Sequence, residues 1–214
     1  MPALRGMADN AYDLAIVDPP YGIGADDAQN KAAESRIKAQ GKSKAGRGWK
    51  QYKTTDWDKG IPKKEYWDEL FRVSKNQIVF GGNYMTEFLP PSMGWVVWNK
   101  CQRDFSLADG ELAWTSFDKA LRIFNMSRGK ALAEKNSFGS RIHPTQKPVQ
   151  LYKWLLKNYA KEGDKILDTH GGSMSIAIAC YDMGFDLDLW EIDKDYFEAG
   201  KARLERHQSQ GQLF

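Results

Sequence analysis

The sequence predicts an α/β protein with a mostly parallel sheet and helices on both faces. Short apolar runs that are typical of buried strands alternate with longer segments of helical periodicity. A chain of 214 residues is long enough for one domain with a sizeable core. No internal repeat or second domain is evident, so we expect a single domain over residues 1–214.

Strands are expected where short apolar runs are rich in β-branched or aromatic residues. The first run, Leu14-Ala15-Ile16-Val17, leads directly into Asp18 and indicates a buried strand over 13–18. The remaining predicted strands cover 77–81, 94–99, 111–116, 121–125, 165–169 and 187–192.

Helices are expected between these strands, at 62–74, 83–89, 148–161, 173–183 and 195–207. The segment 148–161 starts with Pro148, which suits a first helical turn. Its apolar face is formed by Tyr152, Leu155, Leu156 and Tyr159. Ser173 is expected to be the N-cap of the next helix, and Gly184 follows its last residue.

Composition limits the class of protein. Two cysteines, Cys101 and Cys180, allow at most one disulfide and indicate no disulfide framework. No apolar stretch approaches the roughly 20 residues of a membrane span, and no signal peptide is evident at the N-terminus. We therefore expect a soluble protein of a reducing, cytoplasmic compartment, without a metal cluster of Cys and His.

Positive charge is concentrated in one segment, although the net charge of the chain is only +3. Residues 29–53 contain eight basic residues against one acidic residue, Glu34. This segment is rich in Gly, Ser, Ala and Gln and has no apolar periodicity, so we expect a mobile basic loop over about 22–56. A polyanionic partner and a solvated insertion without a partner both fit this composition.

The turn after the first strand carries the clearest chemical signal. Asp18, Pro19, Pro20 and Tyr21 lie where the strand ends, and ligand sites in open α/β sheets gather at such carboxyl ends. Two prolines make the turn stiff. The Asp18 carboxylate, the Pro19 carbonyl and the Tyr21 ring then suit a flat heterocycle with an exocyclic amine. An ordinary turn at the end of a strand is the alternative.

These four residues resemble the catalytic motif of the DNA amino-methyltransferases, which methylate adenine N6 or cytosine N4. The order of blocks resembles the permuted β class, in its short phage or prophage-like form. The supporting blocks span nearly the whole chain and are Ile78–Tyr84, Trp95–Trp98, Glu111–Thr115, His143–Pro148, Ile166–Ser173 and Leu189–Asp193. The resemblance implies a Rossmann-like class I methyltransferase fold and S-adenosylmethionine as the cofactor.

The resemblance also implies a role for each block. Asp18 and the Pro19 carbonyl would accept hydrogen bonds from the amine of a flipped base, and Tyr21 would stack on that base. Asp at the first position is typical of adenine-N6 enzymes, and Ser is commoner for cytosine N4, which stays as the alternative. The cofactor would be held by Lys147 and by the loop Asp168, Thr169, His170, Gly171, Gly172 and Ser173, with Glu191 on the ribose hydroxyls.

Three departures from the family pattern bear on activity. The loop has Thr169 and His170 before its glycines and Met174 at the second glycine position, where we expect it to take space near the cofactor. Only Met1 to Tyr12 precede the first strand, so an edge strand of the family is expected to be absent. Residues 117–142 leave room for only a very short target-recognition region, so we expect either low sequence selectivity or site selection by the basic loop, a dimer partner or both.

Partners follow from the same resemblance. We expect double-stranded DNA to contact the basic loop through Lys38, Lys42, Lys44, Arg47, Lys50 and Lys53. A homodimer is a further expectation. The C-terminal residues Gln210, Leu213 and Phe214 resemble a sliding-clamp docking tail, with a frayed terminus as the alternative. A DNA-binding or regulatory relative without turnover stays open, and a dinucleotide oxidoreductase is less favoured because a full Gly-x-Gly-x-x-Gly pattern is missing.

Overall fold

The computed structural model describes residues 2–24, 58, 60–103, 108–137, 142–143 and 145–211. The chain divides into two compact units. The larger unit comprises Met1–Pro19 and Pro62–Phe214, and the smaller comprises Pro20–Ile61. The sheet and all the helices described below belong to the larger unit.

The strands form one sheet in the described part of the chain. They are β1 Tyr12–Val17, β2 Ser74–Phe80, β3 Trp95–Asn99, β4 Gly110–Thr115, β5 Arg122–Asn125, β6 Lys165–Asp168 and β7 Asp186–Leu189. Each predicted strand is present, with bounds that differ by up to three residues.

The helices lie mostly between the strands in sequence. They are α1 Pro2–Arg5, α2 Lys64–Val73, α3 Arg128–Ser137, α4 Val149–Tyr159, α5 Ser175–Met183 and α6 Lys194–Gly211. A 3-10 turn covers Gly82–Tyr84.

The sheet order is β5-β3-β4-β2-β1-β6-β7. The β1/β2, β1/β6, β6/β7 and β3/β5 pairs are parallel, whereas β4 runs antiparallel to both of its neighbours. The predicted α/β class with a mostly parallel sheet is therefore confirmed. The described residues that precede β1 form the short helix α1 and a turn, where Arg72 of α2 donates to the carbonyls of Leu4 and Met7.

Helices cover both faces of the sheet, as predicted. Val79 and Phe80 are neighbours on β2, so their side chains point to opposite faces, and they pair with Trp114 and Ala113 respectively. The Phe80 ring lies 5.9 Å from Tyr152 of α4, whereas the Trp114 ring lies 6.1 Å from Phe71 of α2. Helices α4 and α2 are thus on opposite faces.

The central position of β1 buries it almost completely. Residues Leu14 to Val17 are at most 1% exposed, because strands flank β1 on both sides and helices cover both faces. Three tryptophans, Trp67, Trp98 and Trp114, are also buried in this core. This core places the end of β1, and with it Asp18, at a fixed point of the sheet edge.

One predicted helix is wrong, and one helix was missed. The predicted helix 83–89 is only the 3-10 turn, because Gly81 adopts a left-handed conformation with φ of 65° and turns the chain after β2. Helix α3, in the expected recognition region 117–142, was not predicted because its periodicity is weak. It packs through the buried Ala131, and Glu134 accepts hydrogen bonds from the first N–H groups of α4.

No helix among the described residues combines the length and the apolar character that crossing a membrane requires.

Candidate active site

Asp18 lies at the carboxyl edge of the sheet, directly after β1. Because β1 runs parallel to β2 and β6, the ends of these three strands meet at the same edge. The Asp18 side chain is 17% exposed, and Pro19 beside it is buried. The carboxylate is therefore held at a rigid strand end and is still partly accessible.

Lys147 provides the nearest opposite charge to Asp18. Its Nζ atom donates to Asp18 Oδ2 and lies 3.6 Å from Glu111 Oε2, at the start of β4. The Lys147 side chain is only 3% exposed, and its ammonium lies 4.6 Å from the centre of the Phe80 ring. Lys100 completes the group by pairing with Glu111 Oε1 at 2.8 Å. Opposite charges thus alternate along this edge, as burial of a charge requires.

Residues next to Lys147 run alongside the loop that follows β6. The Oγ of Ser175 donates to the Lys147 carbonyl at 2.8 Å, and Ser175 is the first residue of α5. A Cβ atom added to Gly172 would lie 3.8 Å from Cγ of His143. The His143 ring also contacts Tyr196 of α6, with centres 4.5 Å apart. The Lys147 side chain therefore starts at the β6–α5 loop and ends at Asp18.

Pro20 and Tyr21 belong to the smaller unit, which also contains Asp58. Asp58 Oδ1 accepts hydrogen bonds from the N–H groups of Tyr21 at 2.7 Å and Gly22 at 2.8 Å. Asp58 is 1% exposed, so its carboxylate is a buried acceptor for this turn. Sequence reasoning did not identify Asp58, which lies far from Tyr21 in the chain.

Asp168 ends β6 and is 2% exposed. Burial raises the pKa of its carboxyl to about 8, and the nearby negative charges of Asp18 and Glu191 add to this rise. The N–H of His170, which donates to Asp168 Oδ1 at 2.9 Å, and the charge of Lys147 act in the opposite direction. Asp168 is thus electrostatically coupled to the same charged group as Asp18.

The polar side chains that replace the family pattern bond to each other. Thr169 Oγ1 lies 2.9 Å from His170 Nδ1 and 2.7 Å from the hydroxyl of Tyr66 on α2. The His170 ring meets the Tyr66 ring edge-on, with centres 5.4 Å apart. Burial lowers the pKa of His170 to about 4, so the imidazole is neutral at pH 7. These contacts fix the His170 ring beside Thr169 and Tyr66.

Several N–H groups of the glycine loop already donate hydrogen bonds to protein acceptors. Gly172 donates to Glu191 Oε2 at 2.7 Å, and Gly171 donates to the Trp190 carbonyl at 2.8 Å. The N–H groups of His170 and Met174 also bond within the loop, to Asp168 and Gly171. Acceptors from the residues that follow β7 and from the loop itself therefore engage all four of these N–H groups.

Gly171 and Glu191 connect the loop to β7. A Cβ atom on Gly171 would lie 2.4 Å from Cδ2 of Leu189, so only glycine allows this contact. Glu191 is two residues beyond β7, not inside a strand that reaches 192 as predicted. Its second oxygen accepts the N–H of Asp193 at 2.8 Å, which turns the chain into α6. Its carboxylate therefore faces the glycine turn.

Met174, not Ser173, is the N-cap of α5. Met174 has a φ of 53° and its side chain is buried against Gly200 of α6, where an added Cβ would lie 2.7 Å from Met174 Cγ. We expected the Met174 side chain to take space near the cofactor, but it packs against this helix. The buried Arg203 donates to the Ser173 carbonyl at 2.7 Å and to Ser175 Oγ at 3.0 Å. These bonds hold Ser173 inside the turn, so it does not cap α5.

Burial lowers the pKa of Arg203 to about 10, which keeps it charged at neutral pH. Neither Arg203 nor the pairing of Glu111 with Lys147 was predicted. The signal that could have identified Glu111 is a charged residue at the start of an otherwise apolar strand.

Several predicted contacts lie outside the described residues. These are the DNA-contacting residues Lys38, Lys42, Lys44, Arg47, Lys50 and Lys53, and the tail residues Leu213 and Phe214. Gln210 lies on the last described turn of α6.

Comparison with known proteins agrees with the fold. Residues 97–202, about half of the chain, match the family model of the N6/N4 methyltransferases, described as DNA methylase. The chain is 26% identical to the type II methyltransferase M.HpaI of Haemophilus parainfluenzae, over 95% of this chain and 71% of that protein.

Solved structures share the fold at lower identity. The crystal structure of the M1.HpyAVI–SAM complex matches with a TM-score of 0.54 and 19% identity, over 94% of this chain and 91% of that one. The cytosine-N4-specific PvuII DNA methyltransferase matches with a TM-score of 0.54 and 13% identity, over 96% and 86%. The family match covers the segment from β3 to α6, which contains Lys147, the glycine loop and Glu191. By this match and by the likeness to the type II methyltransferase, the chain is similar to the N6/N4 DNA methylases.

Proposed function

We propose that this protein transfers a methyl group from S-adenosylmethionine to the N6 amino group of an adenine in double-stranded DNA. S-adenosylmethionine is the methyl donor of this family. The observation that supports the proposal most directly is the position of Asp18, a partly accessible carboxylate at the rigid end of β1. Strand β6, next to β1, leads into the glycine loop of the proposed cofactor site.

The residues around the loop fit this cofactor. Glu191 has two carboxylate oxygens, each of which accepts one N–H and retains lone pairs for ribose hydroxyls. Gln146, adjacent to Lys147, is 3% exposed, and its Nε2 has no acceptor among the described residues. A buried donor of this kind is expected to serve a ligand. Lys147 supplies the cation that suits the carboxylate of the methionine end.

Adenine chemistry defines what Asp18 has to do. The lone pair of the amino nitrogen is delocalised into the ring, which makes it a poor nucleophile. Hydrogen bonds from both amino hydrogens, to Asp18 and to the Pro19 carbonyl, localise that lone pair on nitrogen. The cofactor supplies an electrophilic methyl group, and the amino group releases one proton to water during or after transfer.

Access to the amino group requires the base to leave the duplex, at a cost of a few kcal/mol. The family resemblance implies that the base then stacks on Tyr21. Such stacking offsets about 1–3 kcal/mol of this cost. Asp58 supports this role by holding the backbone of Tyr21 and Gly22. The basic segment supplies the sequence-independent attraction to phosphates, so low sequence selectivity is expected.

Adenine is favoured over cytosine because Asp18 occupies the first position of the motif. Cytosine N4 also presents an amine beside a ring nitrogen, and likeness to the PvuII enzyme extends to the fold alone. The regulatory alternative depended on Met174 taking space near the cofactor. The Met174 side chain packs against Gly200 of α6, which removes this argument. Homodimer formation and clamp docking through Gln210, Leu213 and Phe214 stay predictions.

The test is the identity of the methylated nucleoside. Unmethylated duplex DNA is incubated with the protein and labelled S-adenosylmethionine, then digested and analysed by mass spectrometry. N6-methyladenine is the expected product. N4-methylcytosine would instead support the alternative base. Absence of both, with cofactor binding retained, would refute the enzymatic proposal and favour a regulatory role.

A further inference from the structure

Asp18 has two competing demands on its carboxylate. In the structure Asp18 Oδ2 accepts from the ammonium of Lys147, whereas the proposed function needs Asp18 to accept from a neutral amine. Charge-assisted hydrogen bonds are about twice as strong as neutral ones. Pairing with Lys147 offsets the negative charge of the whole carboxylate, so either oxygen holds an amine less strongly, and Asp18 becomes a better acceptor when Lys147 is drawn away.

Lys147 cannot leave Asp18 for an apolar environment. Its side chain is 3% exposed, and a buried ammonium without an anionic partner is strongly unfavourable. Glu111, at 3.6 Å, is already engaged by Lys100 at 2.8 Å. A second anion close to Lys147 is needed to replace Asp18.

The glycine loop is where such an anion would arrive. The Lys147 carbonyl is bound by Ser175 at the start of α5, so the backbone of this lysine is fixed beside the loop. Four loop N–H groups are already engaged by protein acceptors, including that of Gly172 by Glu191. Lys147 is consequently a cationic partner beside the loop for a carboxylate that binds there.

We propose that Lys147 exchanges its ammonium between Asp18 and the carboxylate of the cofactor, so that cofactor binding releases Asp18 to accept the amine of the base. This proposal rests on the proposed function, since it takes S-adenosylmethionine as the ligand of the loop. It makes binding ordered: the cofactor binds first, and the base is gripped strongly only afterwards.

The exchange predicts a specific effect of Asp18 on cofactor affinity. Removing the charge of Asp18 removes the competitor for Lys147, so a ligand carboxylate binds more tightly. The effect is confined to ligands that have a carboxylate. S-adenosylhomocysteine has one, and methylthioadenosine shares its adenosine and sulfur but lacks the amino-acid end.

The experiment measures the affinity of both ligands for wild type, Asp18→Asn, Lys147→Met and the double variant by isothermal calorimetry. Asp18→Asn is expected to tighten S-adenosylhomocysteine by about fivefold or more, within the usual range of coupling between sites. Lys147→Met is expected to weaken it by about tenfold or more. Methylthioadenosine should change by less than about twofold in both, and Asp18→Asn should give no gain in the Lys147→Met background.

The outcomes separate this proposal from the function on which it rests. One outcome is that both ligands bind wild type while Asp18→Asn fails to raise the affinity for S-adenosylhomocysteine relative to that for methylthioadenosine. In that case Lys147 is a fixed support and the exchange is refuted. If neither ligand binds wild type, the proposed cofactor site and the exchange fall together. Should Lys147→Met not fold, the comparison of Asp18→Asn with wild type still decides the exchange.

Discussion

Substitution of Gly200 by alanine tests how Met174 is accommodated in the loop. Gly200 lies within α6, where alanine is favoured over glycine by about 1 kcal/mol. In wild type, however, the added Cβ would lie 2.7 Å from Cγ and 3.0 Å from Sδ of Met174. Overpacking of this kind costs about 1–3 kcal/mol, so Gly200→Ala is expected to destabilise by about 0–2 kcal/mol in net terms.

Met174→Gly should reverse the sign of that effect. Without the methionine side chain the three nearest contacts of the added Cβ are gone, and the helical preference gives a stabilisation of about 1 kcal/mol. Met174→Gly alone loses a buried side chain, at a cost of about 2–5 kcal/mol for such truncations. Relief of the positive φ of 53° returns about 1 kcal/mol of that cost.

Chemical denaturation of the wild type, both single variants and the double variant measures this coupling. We expect Gly200→Ala to lower the free energy of unfolding in wild type and to raise it in the Met174→Gly background. An equal effect in both backgrounds would show that the two residues are not in contact, and the account of Met174 would be wrong.

Three further predictions follow from other contacts in the described part of the chain. The pKa of Asp168 is raised in the folded state, so stability falls as pH rises from about 4 to about 8. Asp168→Asn should therefore raise Tm most above pH 8, and a shift that is independent of pH would contradict this. Glu134→Ala should lower the free energy of unfolding by about 1 kcal/mol in urea, because α4 loses its N-terminal acceptor; unchanged stability would argue against capping. Glu191→Gln should weaken S-adenosylhomocysteine by about tenfold in calorimetry, and unaltered affinity would exclude Glu191 from the site.

The strands were predictable from sequence because each has a local signal. Leu14 to Val17 form an uninterrupted apolar run, as expected for a strand buried on both faces. Asp18 could be placed at the sheet edge for the same reason. Helix α3 gave no such signal, since its position depends on Ala131 and Glu134 contacting other elements.

Contacts between distant residues explain what sequence reasoning missed in the site. Lys147 pairs with Asp18 across 129 positions of the chain, and no local pattern encodes that pairing. Ser173 carries a strong local signal for an N-cap, but Arg203 of α6 engages its carbonyl and Met174 takes the cap position. Tertiary contacts therefore override the local preference in the loop.

Methyl incorporation into DNA by two matched variants tests the central claim most directly. Asp18 follows β1, whereas Asp13 lies near the opposite end of the same strand and pairs with Lys75 at 2.6 Å. Both are changed to asparagine, and transfer from tritiated S-adenosylmethionine to unmethylated DNA is measured. We predict that Asp18→Asn loses about a hundredfold or more of the rate, while Asp13→Asn stays close to wild type. Equal rates for wild type and Asp18→Asn would contradict the assignment of Asp18 to the chemistry.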